Sequence, residues 1–125
     1  MTEINDIQRP EMQQKMLDLD QQLSHVWMVR TFLKHSDEAA EDEELAEVHR
    51  ELYDFMLALG PSIDSGDYEN YLKLANKKFS KLRGALKLFA EIQPEISGHM
   101  NFKMALKSLT LAVERIAKIL DRDQA

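Results

Sequence analysis

The chain has 125 residues, of which 44% are hydrophobic and 30% charged, with a net charge of −6 and no cysteine. That length fits one domain able to bury a core without staples, and the missing cysteines exclude disulfides, thiolate metal sites and thiol nucleophiles together. The negative charge disfavours nucleic acid and anionic lipid as partners, since both are polyanions.

Residues 1–9 read as a polar, frayed arm, and residues 10–122 as a single domain. Met1–Asp6 lacks the basic-then-apolar order of a secretory signal, and no apolar run approaches the roughly 20 residues that a membrane span needs. A cytoplasmic protein is therefore expected, with no membrane partner. Pro10 suits the first turn of a helix, where its missing N–H costs nothing. The first predicted helix follows to about Lys34, with a seam of Met12, Met16, Leu19, Leu23, Val26, Arg30 and Leu33. Around Trp27, Met28, Val29 and Phe32 its apolar surface widens beyond what three partner helices would cover. Either an adjoining loop or another subunit must cover the excess.

Residues 36–44 carry six acids and read as a helix-starting acidic turn, with Ser36 or Asp42 as the cap. The second helix shows Leu45, Val48, Leu52, Phe55 and Leu59, and Gly60-Pro61 is expected to stop it. Ser65 or Asp67 then caps a third helix from Tyr68 to about Ile92, whose seam is Tyr68, Leu72, Ala75, Phe79, Leu82, Leu86 and Phe89. Gln93-Pro94 is expected to end it. Ser97-Gly98 opens the fourth, which carries Phe102, Leu106, Leu109, Val113, Ile116 and Leu120. Short later connections make consecutive helices antiparallel neighbours, so the expected fold is an all-α, up-down-up-down four-helix bundle. The seven methionines suit flexible gap-filling in its core or, near Trp27 and Met28, a docking surface.

Charge is unevenly divided, with −9 on residues 1–60 and +3 on residues 61–125. Acidic and basic helices attracting each other within one bundle account for this, as does docking between chains. Lys73, Lys77 and Lys81 repeat every four residues on the third helix, and read as a solvated face or a dock for an acidic protein surface. With no interleaved exposed aromatics, they do not read as a nucleic-acid track.

Antiparallel order gathers His35, His49 and His99 at one pole with Arg30, Glu38, Glu47, Glu91 and Glu95. Imidazoles and carboxylates are the ligands that zinc, iron or manganese take in bundles. The Glu-x-x-His pairs of bundle di-metal sites are absent, however, because Ala46 and Ile96 stand three residues before His49 and His99. A polar end cap and a pH-responsive cluster are the other readings of this pole. Neither His49 nor His99 begins the His-x-x-Lys-Gly pattern of phosphotransfer bundles, and no cofactor is implied.

Arg30 is the most unusual residue, because it stands in the seam where the pattern demands an apolar side chain. A buried guanidinium needs a partner, so Glu47, Glu51 or a loop carboxylate is expected beside it. Its functional reading is an anion-binding pocket floored by Trp27 or Tyr53. Taken together, the residues point to a non-enzymatic protein–protein interaction module (a small adaptor, regulator or assembly protein) that self-associates through Trp27, Met28 and Phe32. The alternative is a metal- or anion-binding enzyme or sensor using His35, His49, His99 and Arg30.

Overall fold

Side chains that cap orphan backbone groups set most of the helix boundaries. The computed structural model describes residues 8–122 and contains α1 (Gln8–Lys34), α2 (Asp37–Glu41), α3 (Glu43–Ser65), α4 (Tyr68–Ile96) and α5 (Met100–Ile119). No strand occurs among the described residues, and none of their helices is long and apolar enough to cross a membrane. The fold is all-α.

Both caps expected in the acidic segment are used, each by a different helix. Ser36 Oγ accepts from Ala39 N–H at 3.1 Å and starts the short α2, which buries Ala39. Asp42 accepts from Leu45 N–H at 2.9 Å and starts α3. The acidic turn thus contains a helix of its own. Asp67, rather than Ser65, caps α4 through Asn70 N–H at 3.1 Å. Of the expected arm, residues 1–7 lie outside the described residues, while Gln8 and Arg9 already belong to α1.

Two expected stops are overturned. α3 runs through Gly60-Pro61 to Ser65, and α4 runs through Gln93-Pro94 to Ile96. A proline inside a helix removes the bond to the carbonyl four residues back. Here those carbonyls belong to Leu57 and Ala90, and both residues, like both prolines, are exposed, so water can take the freed acceptors. Contacts beyond each proline favour continuing. Ser62 is buried and its hydroxyl accepts from Asn70 Nδ2 at 2.9 Å, while buried Gln93 donates through Nε2 to Ser97 O at 2.8 Å. Gly66 is the true stop of α3. It takes the left-handed conformation (φ 72°) and donates to Ile63 O, as Asp67 N–H donates to Ser62 O at 2.9 Å, completing a Schellman turn.

The start of α5 is also corrected. Its cap is His99, whose Nδ1 accepts from Asn101 N–H at 3.0 Å, while Ser97 Oγ accepts from His99 N–H.

One apolar cluster draws on all five helices. α3 packs most extensively on α4, and α1 lies against α3 and α5, with α4 also touching α5 and α1. Tyr71, Phe79, Phe89, Leu52 and Leu109 are among its fully buried members. The phenol of Tyr71 donates to Asp20 Oδ1 at 3.3 Å, tying α4 to α1. Burial first, and then the Asp20 carboxylate, push the phenol's pKa far above its ordinary value. Two contacts join α1 to α5: Lys15 Nζ lies 3.3 Å from Asp121 Oδ2, just beyond the C-terminal end of α5, and Phe32 meets Phe102 edge-on, with centroids 5.0 Å apart.

Leu52 and Leu57, on opposite faces of α3, test this partition. Leu52→Ala is expected to cost about 2–5 kcal/mol through lost burial and a cavity, and Leu57→Ala, at a site 60% exposed, within about 0.5 kcal/mol. Urea denaturation of the two variants measures both.

Candidate functional site

The surface where α1 meets α3 is the most distinctive in the molecule. On α1, Trp27 and Arg30 are three residues apart and so share a flank of the helix. Tyr53 of α3 reaches the same place, its ring centroid 6.4 Å from that of Trp27 and tilted by 47°. The Arg30 guanidinium carbon lies 4.9 Å from the Trp27 centroid and 4.5 Å from the Tyr53 centroid. Both distances are within the range of cation–π attraction.

Arg30 does not hold the expected place in the seam, where Val29 is the buried residue and Arg30 lies half-buried beside it, and the expected carboxylate partner is not there either. Among the described residues Arg30 makes no ion pair, and its Nε is buried without a hydrogen-bond acceptor, as is Thr31 Oγ1 beside it. Glu47 and Glu51 are one turn apart on the other flank of α3, where they line a cleft with Lys81 of α4. Helix rotation explains this correction. His49 and Tyr53 occupy the flank of α3 toward α1, and the two glutamates that alternate with them turn toward α4. A cluster of acids on α3 and lysines on α4, in which Asp54 and Lys78 also take part, is consistent with attraction between the two oppositely charged halves of the chain.

Next to the stacked guanidinium lies a cleft of about 390 Å³, lined by Arg30, Lys34, His49, Arg50, Tyr53 and Asp54. Arg50 Nη2 is 3.2 Å from Glu43 Oε1, but both side chains are largely exposed, so this pair holds Arg50 only weakly. Burial lowers the pKa of His49 below its ordinary 6.5, and the charges of Arg50, Arg30 and Lys34 lower it further. Three cations converge on one imidazole.

The three histidines do not share one site. His35 and His99 line an end cleft of about 400 Å³ with Asp37, Glu38, Ser97, Asn101 and the rings of Phe32 and Phe102, whereas His49 lies in the cationic cleft. Among the described residues no group of three or more histidines and carboxylates is placed to hold a metal ion. Of the three apolar anchors, Trp27 and Met28 are 46% and 66% exposed. Phe32 is half-buried and packs on the core through Phe102. Sequence reasoning also missed exposed Leu57, one turn beyond Tyr53 on α3, and the cationic set of Lys34 and Arg50. Their common signal was the spacing of 30 and 34 on one helix and of 49, 50 and 53 on the other.

No protein-family model matches this chain, and comparisons with curated proteins and with solved structures likewise return no match.

Two outcomes follow from this geometry. Arg30→Met, which keeps the aliphatic stem and removes a charge with an unpaired buried nitrogen, is expected to leave the chain at least as stable in urea as the parent. The folded chain favours the neutral His49 imidazole, whereas the unfolded chain takes up a proton near 6.5. Stability from this residue is therefore complete above that pH and declines as the pH falls toward the lower folded-state midpoint. In His49→Gln that decline should be shallower, as thermal melts across the acid range would show.

Proposed function

We propose that this protein is a non-enzymatic interaction module that self-associates through the exposed apolar face of α1. The observation that carries the reading is the exposure of Trp27 and Met28, on a helix that already buries Met16, Leu19, Leu23, Val26, Val29 and Leu33. Leu17, 44% exposed, precedes Met28 by eleven residues, or three turns, and so adds to the same outward side. Tyr53 and Leu57 extend the apolar surface onto α3. α1 is in consequence the least amphipathic of the long helices: it is polar over much of its length, and Leu17, Trp27 and Met28 are the large apolar side chains it leaves outside the core, a patch that favours a second cover. Trp27 is the hot-spot candidate because tryptophan and arginine dominate interface energetics, and Arg30 is stacked on it.

In this reading the chain acts as one domain whose four long helices run up-down-up-down, with α2 as an added turn between the first two. Support comes from the Lys15–Asp121 contact, which links the start of α1 to the end of α5, and from Phe32–Phe102, which links their other ends. The connections between α3, α4 and α5 are two and three residues long, as expected for antiparallel neighbours.

Trp27 is the only tryptophan, so its emission reports directly on whether this face is covered. Sedimentation velocity over a protein concentration series is expected to show mass rising above that of the monomer, with a concentration-dependent blue shift of Trp27 emission. Trp27→Ala or Met28→Asp should weaken association, by about 2 kcal/mol or roughly 30-fold for the tryptophan, with helicity by circular dichroism unchanged. A monomer mass at every concentration would overturn self-association.

A further inference from the structure

We propose that the cleft formed by Arg30, Lys34, His49 and Arg50 is a binding site for an oxyanion, a carboxylate or phosphate group, whose organic part rests on the ring of Tyr53. The site does not depend on self-association and belongs to the single chain. Its cavity of about 390 Å³ admits a small anion or an acidic side chain. Neither Arg30 nor Lys34 has an ion-pair partner among the described residues, and Arg50 is held only by an exposed glutamate.

The arrangement of Arg30 favours a ligand over a purely structural role. Its guanidinium carbon is held 4.9 and 4.5 Å from two aromatic ring centroids, which restrains the group, and planar guanidinium presents paired N–H groups to carboxylate and phosphate. A half-buried cation whose Nε is buried and unpaired is costly without a carboxylate, and the aromatic stack offsets only part of that cost. An anion in the cleft supplies the missing countercharge. Lys34, one turn along α1 from Arg30, adds a mobile point charge on the same side.

His49 makes the site sensitive to pH. The charged groups that face it are Arg30 and Lys34 from α1, and Arg50 and Asp54 from its own helix. The neighbouring α2 carries Asp37, Glu38 and Glu41, but the charges that act on the imidazole are all cations. A bound anion offsets those cations and lets the imidazole take up a proton, so binding tightens as pH falls. Asp54 is the one carboxylate lining the cleft, and it competes with any anion there.

Sulfate, doubly charged throughout the useful range, is the probe, with acetate as a separate arm to compare tetrahedral with planar oxyanions. At constant ionic strength and a protein concentration where the chain is monomeric, the readouts are the NMR titration of the His49 imidazole and the emission of Trp27. Saturable binding is expected, with the His49 midpoint raised at saturation and affinity several-fold greater near pH 5.5 than near pH 8. Arg30→Met should reduce affinity at least about tenfold and Lys34→Gln several-fold. Asp54→Asn should strengthen binding, a gain that no loss of structure would produce, and Lys73→Gln on α4 should change nothing. Should Arg30→Met fold poorly, the exposed Lys34 and Asp54 variants still decide the matter. Unsaturable shifts that follow salt alone, or equal affinities in the parent, Lys34→Gln and Asp54→Asn chains, would overturn the site. Because every measurement is made on the monomer, these outcomes are independent of whether copies associate.

Discussion

A helix with one apolar side chain per turn is marginal alone in water and becomes stable when other helices cover that line of side chains. In this chain the cover is mutual. Leu19, Val26 and Leu33 of α1, Leu45, Leu52 and Leu59 of α3, Phe79, Leu82 and Phe89 of α4, and Leu109 and Ile116 of α5 are all almost wholly buried in one cluster. This shared burial carries the helices past local penalties. α3 and α4 tolerate internal prolines because the turns beyond them remain attached, through Ser62 and Ile63 in α3 and through Ile96 and the Gln93–Ser97 hydrogen bond that spans Pro94 in α4, and because each freed carbonyl belongs to an exposed residue.

Arg30 lies at the edge of this pattern, half-buried beside Val29, and its surroundings show how a helix interface accommodates a cation. An ion pair would have required a carboxylate on the inner flank of α3, where the spacing places His49 and Tyr53. The guanidinium instead lies over Trp27 and Tyr53, whose ring faces supply electron density without a formal charge. Such a stack holds a cation in place but leaves its charge uncancelled. Burial is the larger cause of the lowered pKa of His49, and the charges of Arg50, Arg30 and Lys34 add to it, while Arg30 Nε stays buried without an acceptor.

Most of each seam was legible in the sequence because helical periodicity is repeated over many residues, but single positions slipped: Val29, Tyr71, Ala85 and Ala105 are buried, whereas Arg30, Tyr68, Leu86 and Leu106, read as seam residues, are only half-buried. Caps that rely on aspartate and serine, such as Asp42, Ser36 and Asp67, were legible for the same chemical reason at single positions. The cap at His99 was not, since histidine seldom serves there and Ser97 two residues earlier was the more usual choice. Pro61 and Pro94 were read as stops because local propensity was weighed without the tertiary contacts that lie beyond them. At the cationic cleft, Arg30 and Tyr53 were named in advance and both line it, whereas Lys34 and Arg50 were not placed there and Trp27 lies beside the cleft, against Arg30. Which flank of α3 carried carboxylates depended on the rotation of one helix against another. A shift of two positions there separates Glu47 and Glu51 from Arg30 and brings His49 and Tyr53 to it.

Trp27 belongs to both proposed surfaces, and this constrains how they behave together. One face of its ring carries the Arg30 guanidinium, and nearly half of the side chain is open to solvent. Covering Trp27 with a second protein surface removes water from beside Arg30, which strengthens the attraction between the guanidinium and any anion already in the cleft. By thermodynamic reciprocity, an anion that neutralises Arg30 lowers the cost of desolvating that edge of the interface, and so favours docking by the same factor. Without an anion, docking must bring an uncompensated charge toward a drier environment, and that is the cost the anion removes. Coupling between the cleft and the α1 face is therefore favourable, and its size is set by how far covering the tryptophan dries the surroundings of Arg30.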